Sequence, residues 1–417
     1  MRYFVTGLCL QGNKGGPAIG LSLMSQIRQH DPTARFVFSV PSKDFQRERS
    51  WARRYKVDVV EAFHIKDLLP LFYWQRFPRR PARIYRWLRQ MMRSDVVVDM
   101  SGVSYVGPPM GSNRAVLLAG RFYYWLLARA LRKPFVAWTQ SYGPFSTRLV
   151  RLMCRLDLGT QPVIMCRGAD CRAEVGKILP NAATATFPDV AVVLPYERDW
   201  AKTYIAGLAS GARLGRIATV SPSAVAEHHA RSIGGRSHIE LVTAAVGHLA
   251  GKGYTVILVP HTFRPDDHDI SVCDHAIAQR VHETVRDRGV LLVSEDLSPN
   301  QLKSVISLAD VHVGARYHSI VASLSAGVPT LALSWHPKYR DIMRMYRVES
   351  YVVEQATSGI EDTTLRLLDD LIGSRDAVAV TLRDAQAALA EAVAENTRLF
   401  VRTLRDSWGL EIRATGV

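Results

Sequence analysis

Residues 309–343 read ADVHVGARYHSIVASLSAGVPTLALSWHPKYRDIM, from Ala309 to Met343. Val311 to Val313 is a short β-branched run, and Ser319 to Ala326 carries apolar residues at helical spacing. Gly327 stops that helix, and the apolar run Pro329 to Leu333 follows as a second strand. Arg316 and His318 come after the first strand, and His336 and Lys338 after the second. In an open parallel sheet the carboxyl ends of the strands line the ligand crevice. Arg supplies a planar fork for carboxylate or phosphate and Lys a point charge, so the stretch points to an anionic substrate.

Working outward, strands and helices alternate along almost the whole chain, the pattern of a doubly wound α/β protein. Strands are expected at Arg2–Thr6, Arg35–Val40, Val57–Val60, Val96–Met100, Phe135–Thr139 and Val163–Cys166. Helices are expected at about Ala18–His30 and Arg114–Leu131. Glycines at 207, 211 and 215 interrupt the pattern, which places a domain boundary between Pro195 and Gly215. A second series then begins, with strands at Ile217–Val220, Tyr254–Val259 and Val290–Val293. Helices in this series are expected near Ile239–Ala250, Ala276–Arg286 and Asn300–Leu308. The expected division is residues 1–200, 201–374 and a closing helical stretch 375–417. By analogy with glycosyltransferase-B proteins, this gives two Rossmann-like domains facing a central cleft, with the last helix packing back across them.

The motifs G-x-R-x-H-S (Gly314 to Ser319), S-A-G-V-P (Ser325 to Pro329) and H-P-K (His336 to Lys338) closely resemble the signature of the polysaccharide pyruvyl transferase family. G-N-K-G-G-P at Gly12 to Pro17, Q-S-Y-G-P at Gln140 to Pro144, F-P-D-V-A at Phe187 to Ala191 and V-P-H-T at Val259 to Thr262 also look like the family. The resemblance implies transfer of pyruvate from phosphoenolpyruvate onto two hydroxyls of a sugar, leaving a cyclic ketal. It implies phosphoenolpyruvate as co-substrate with no further cofactor, and an acceptor in a cell-surface glycan or a glycolipid. Two places depart from the family pattern. Met100-Ser101-Gly102-Val103 stands where the family clusters glycines, and Gly168 and Cys171 follow Arg167 where the family has an acid and a Ser.

Phosphoenolpyruvate needs cations for two anionic groups, an acid for its methylene carbon and a base for the hydroxyls. Arg316 is expected to clamp the anion and His318 to act as the acid. Ser319, His336, Lys338 and His261 complete the expected donor set. His261 follows the strand Tyr254–Val259 and reads either as a second donor-site imidazole or as a base for the acceptor. The loop with Asn13, Gly15 and Gly16 lies between a strand and a helix, where backbone amides can approach an anion. Together with Arg167 it forms the expected acceptor or phosphate loop. Asp189 reads more simply as a cap or turn residue.

Composition bounds the rest. At 47% hydrophobic and 22% charged residues the chain is an ordinary globular one, and 417 residues suggest more than one core. Its five cysteines are scattered, without zinc spacing or a disulfide framework, which suits a reducing cytoplasm and no metal site. The opening MRYFVTGLCLQG reads as a strand rather than a secretory leader. Arg121 and Arg129 interrupt the best candidate for a membrane span.

The net charge of +15 calls for an acidic substrate or an anionic surface, and no nucleic-acid motif accompanies it. Residues 68–94 hold seven arginines among aromatics and no acid before Asp95. The segment reads either as a peripheral contact with the inner face of an anionic membrane or as a solvated helix whose aromatics belong to the core. Two other functions fit the scaffold. A nucleotide-sugar glycosyltransferase would use the helix before A-G-V-P-T, yet no acidic residue lies between His318 and Gly327 to hold a ribose or donor sugar. A non-catalytic sugar-binding relative would keep the fold and lose the chemistry.

Overall fold

The computed structural model describes residues 1–41, 45–62, 80–105, 115–210, 214–264, 270, 272–285, 289–336, 338–355 and 358–412, the side chains of 80 and 115–120 excepted. The chain divides into two compact units. One comprises Met1–Gln11, Ile19–Val190 and Ala392–Val417; the other comprises Gly12–Ala18 and Ala191–Glu391. The division falls a few residues before the expected boundary, and the short loop Gly12–Ala18 groups with the second unit.

The first unit contains β1 (Arg2–Thr6), most of α1 (Gly15–His30), β2 (Arg35–Val40), α2 (Phe45–Tyr55), β3 (Asp58–Glu61), α3 (Arg80–Met92) and β4 (Val96–Asp99). There follow β5 (Val103–Ser104), α4 (Ala115–Ala130), β6 (Phe135–Ala137), β7 (Ser141–Tyr142), α5 (Arg148–Leu158), β8 (Ile164–Arg167), α6 (Ala169–Ile178) and β9 (Thr184–Phe187). Its main sheet is parallel, in the order β3-β2-β1-β4-β6. The interior strand β4 reads Val-Val-Val-Asp and is wholly buried, as a strand covered on both faces must be. Trp87 of α3 meets Phe4 edge to face at 5.1 Å and donates from its indole N–H to Ser39 Oγ at 2.7 Å. The described part of the basic segment therefore gives Trp87 to the core and leaves Tyr85 exposed. Residues 68–79 lie outside the described residues.

The second unit contains α7 (Arg198–Leu208), β10 (Arg216–Ser221), α8 (Ala224–Ser232), α9 (His238–Gly251), β11 (Tyr254–Leu258), α10 (Asp274–Val285) and β12 (Leu291–Leu292). It continues with α11 (Pro299–Ile306), β13 (Val311–Gly314), α12 (Tyr317–Ser325), β14 (Thr330–Ser334), α13 (Lys338–Met345), β15 (Val352–Glu354) and α14 (Ile360–Trp408), whose residues from Ala392 group with the first unit. Six parallel strands lie in the order β12-β11-β10-β13-β14-β15. Numbered within the unit this is 3-2-1-4-5-6, the dinucleotide-fold order, whose strand sequence reverses between β10 and β13. Ligands in such sheets bind beyond the carboxyl ends at that reversal.

Several elements differ from expectation, among them α2, α6, α7 and α8, which the sequence pattern had not given. The last helix begins at Ile360 rather than near Arg375, because 360–374 has no Pro and its interior Gly373 costs only about 1 kcal/mol. α5 was not expected from the pattern, since its apolar residues point both inward and outward.

A candidate active site at the strand reversal

Of the residues in the opening stretch, Arg316 and His318 stand beyond β13, next to β10, and His336 and Lys338 beyond β14. Arg316 is the N-cap of α12, with extended backbone at φ −106°, and Tyr317 and His318 form the first turn. Two residues after a strand, in a turn tight enough to start a helix, is what sets both side chains at the sheet edge.

Arg316 is not an open cation. Its Nε and Nη2 donate to Asp274 Oδ2 and Oδ1, both at 2.6 Å, and Asp274 also accepts the Ala224 backbone N–H at 2.8 Å. Asp274 is fully buried and opens α10. Burial opposes the guanidinium charge, but the adjacent carboxylate outweighs it and holds the group protonated beyond its ordinary range. This two-pronged pair uses one edge of the fork. Among the described residues the Nη1 group makes no hydrogen bond.

His318 lies against the start of α1. A Cβ built on Gly15 would sit 2.2 Å from His318 Nδ1, so only glycine lets the helix end approach the ring. Gly15 in turn donates its N–H to Asn13 Oδ1 at 3.0 Å, and Asn13 forms an antiparallel bridge with Thr262. The Lys14 N–H donates to the His261 carbonyl at 2.9 Å, and the Lys14 ammonium pairs with Asp296. Gly16 sits in the first turn of α1. The Asn13–Gly16 loop, expected as an acceptor or phosphate loop, thus joins the His261 and His318 group. Lys14, His261 and His318 face one cavity of about 10 Å³, room for about one water molecule.

His261 is buried, and its Nδ1 donates to the Val259 carbonyl at 3.2 Å. Burial pulls its pKa down to about 4. Burial thus favours the neutral ring, which makes it a weaker proton donor than an exposed imidazole. Ser319, expected to touch the donor, faces inward: its Oγ donates to the Arg316 carbonyl at 2.8 Å and lies 3.2 Å from His312 Nε2. His312 in turn meets Thr219 Oγ1 at 2.9 Å, and burial lowers its pKa to about 3. His238, whose Nε2 accepts the Ser223 N–H at 3.2 Å, is lowered to about 4 by burial.

Beyond β14, His336 Nδ1 accepts the Lys338 N–H at 3.3 Å and its carbonyl accepts the Tyr339 N–H, so this residue shapes the start of α13. The Lys338 ammonium lies over the rings of Trp335, Tyr317 and Tyr339 at 5.1, 5.4 and 5.8 Å. Three aromatic faces orient it as a point charge.

Arg167 belongs to the first unit. There it is buried, pairs with Asp189 at 2.6 Å and donates to Ser141 Oγ at 3.1 Å. Asp189 is therefore an ion-pair partner rather than a cap. Gln140 of the Q-S-Y-G-P motif is also structural, donating to Asp99 at 2.9 Å and accepting from Ser104 at 2.7 Å.

Sequence reasoning missed Asp274, His312 and the ion pair of Lys14. Asp274 carries no motif, and its one local signal is an acid at the first position of a helix.

A family model for polysaccharide pyruvyl transferase matches residues 13–337, covering most of the chain and every motif quoted above except Gly12 and Lys338. The chain belongs to the polysaccharide pyruvyl transferase family. No curated protein matches it. Among solved structures it is similar to a UDP-N-acetylglucosamine 2-epimerase, at 11% identity and TM-score 0.58, covering 100% of this chain and 98% of that one. It is also similar to the UDP-GlcNAc 2-epimerase of Neisseria meningitidis bound to UDP-GlcNAc, at 10% identity and TM-score 0.57, covering 97% and 100%. The Anabaena HepE protein in complex with UDP aligns at 12% identity and TM-score 0.55, covering 97% and 99%. At these identities the likeness shows the fold alone: parallel α/β sheets in two units, of the glycosyltransferase-B type. Among the described residues no helix is long and apolar enough to cross a membrane.

The buried imidazoles give this transferase a definite pH response. His238, His261 and His312 titrate at about 4, 4 and 3 in the folded chain, against 6.5 for an ordinary histidine. The unfolded chain therefore binds more protons between these values, and stability rises with pH there. Their contribution is complete above about pH 6.5 and is lost as pH falls toward 4. Urea midpoints should fall over that window, less steeply in His312→Gln. Equal slopes in the two proteins would mean that His312 is not buried as a neutral ring.

Proposed function

We propose that the chain transfers pyruvate from phosphoenolpyruvate to two hydroxyls of a sugar, in the cytoplasm, on a cell-surface glycan or glycolipid precursor. The observation that carries this reading is the pair Arg316 and His318 at the strand reversal, with Lys338 beyond the adjoining strand and its ammonium over the Tyr317 ring, within a chain of this family. Arg316, locked by Asp274, offers its remaining edge to the donor carboxylate or phosphate. Lys338 supplies the second positive charge.

His318 gives a proton to the methylene carbon, which becomes a methyl group. The first sugar hydroxyl bonds to the neighbouring carbon and releases its proton to a base. The C–O bond to phosphate then breaks, the leaving phosphate carrying away the electron pair. The second hydroxyl bonds to the resulting cation and gives up its own proton. Two hydroxyl protons are released overall: one replaces the proton spent on the methyl group, and one accompanies the phosphate. Preorganised cations stabilise the charge that develops on the leaving group.

Isothermal titration tests this. Phosphoenolpyruvate should bind the full chain in preference to UDP-N-acetylglucosamine. Preference for the nucleotide sugar would instead favour a glycosyltransferase. Against that alternative, α12 has no acidic side chain to hold a ribose or a donor sugar. Binding of neither ligand would leave a non-catalytic relative as the better account.

A further inference from the structure

The charge of this protein is concentrated. Residues 68–156 contain 15 of the lysines and arginines against only Asp95 and Asp99, so 13 of the net +15 charges reside there. No carboxylate occurs between Asp99 and Asp157.

Within that region α5 has an unusual surface. Its inner face, Val150, Met153, Cys154 and Leu158, is buried in a core cluster. Its outer face carries Leu149, Leu152 and Leu156, which are 52%, 52% and 47% exposed. Their spacing of three and four places them along one stripe of the helix. Arg148, Arg151 and Arg155 are exposed between them, and the one acid of the helix, Asp157, is buried in an ion pair with Arg121. Six of the ten exposed large apolar side chains among the described residues lie on α3, α4 and α5, Tyr85, Met92 and Leu126 being the others.

We propose that the outer face of α5 docks this protein on an anionic lipid bilayer, with its three leucines in the headgroup boundary and its three arginines on lipid phosphates. Interleaved leucine and arginine suits a surface that is apolar beneath and negative above. A second protein would need matching acidic groups, and a second copy of this chain would bring the same positive face against itself. The inference is independent of the donor chemistry, because α5 contributes nothing to the Arg316 group.

Co-sedimentation with vesicles of phosphatidylglycerol, against vesicles of phosphatidylcholine alone, tests it with the full chain. Binding should require the anionic lipid and weaken as salt shortens the screening length from about 8 Å. Arg148→Gln, Arg151→Gln and Arg155→Gln should each lower affinity about fivefold. Leu149→Ser, Leu152→Ser and Leu156→Ser should each lower it by a similar factor, about half a leucine's burial, also at high salt. Phosphoenolpyruvate binding should be unchanged in all six, and melting curves in all but Arg151→Gln, which loses the hydrogen bond from Nε to the Phe145 carbonyl at 3.0 Å; this separates the result from any failure of the donor reading. Three outcomes overturn the proposal: no binding to anionic vesicles at low salt, equal binding to both lipids, or a dimer in solution that the serine variants dissociate.

Discussion

Replacing His318 with Gln should lower the rate of pyruvyl transfer by about 10²–10⁴-fold while leaving the fold intact. The ring stands in the first turn of α12, packed against the backbone of Gly15 and edge to face with Tyr317 at 5.2 Å. Gln fills nearly the same space but has no titrating nitrogen, so the variant should also lose the limb of the pH–rate profile that belongs to this imidazole. Phosphate release from phosphoenolpyruvate with a sugar acceptor measures both.

Gly15→Ala is the informative companion. Its methyl group would fall 2.2 Å from Nδ1, so the ring or the helix end must move. A displacement of about 1 Å at a reacting group costs on the order of 10²-fold in rate. The alanine variant should therefore lose activity without losing the imidazole. Full activity in His318→Gln would transfer the acid role elsewhere. His261 is a poor substitute because burial favours its neutral form, which leaves His336 as the alternative acid.

The second large effect is on stability. Asp274→Ala should destabilise the protein by about 3–5 kcal/mol, because it leaves a buried guanidinium without its counter-charge. The change also strips the acceptor from the Ala224 N–H. Donor binding should fall too, since nothing would then orient the fork of Arg316. Arg316→Ala leaves the converse charge, a fully buried carboxylate, so loss of binding in that variant must be read beside its melting curve. Arg316→Lys should recover part of the stability and little of the donor affinity, because an ammonium cannot make the paired contact. Chemical denaturation of the two single variants and the double variant gives the coupling directly. A coupling near zero would mean that the pair is not formed in solution.

Much of this protein follows from local sequence. Parallel strands buried on both faces must be nearly continuous apolar runs, so Val96–Asp99, Tyr254–Leu258 and Thr330–Ser334 are readable as strands wherever they pack. Gly327, at φ +76°, ends α12 because a left-handed residue there favours glycine. Arg316 and His318 reach the sheet edge because they follow a strand by two and four residues, a purely local matter of spacing.

Partners are another matter. Asp274 lies 42 residues from Arg316 in the chain, and only the order of β10, β11 and β13 brings them together. Gly15 and His318 are about three hundred residues apart, and no periodicity links them. Tertiary packing also decided which polar residues lost water: Ser319 and His261 look like ligand residues in sequence, yet one faces inward and the other is neutral. Side-chain type sets what a residue can do, but burial and the facing partner set its charge and direction, and both depend on chain segments far away in sequence.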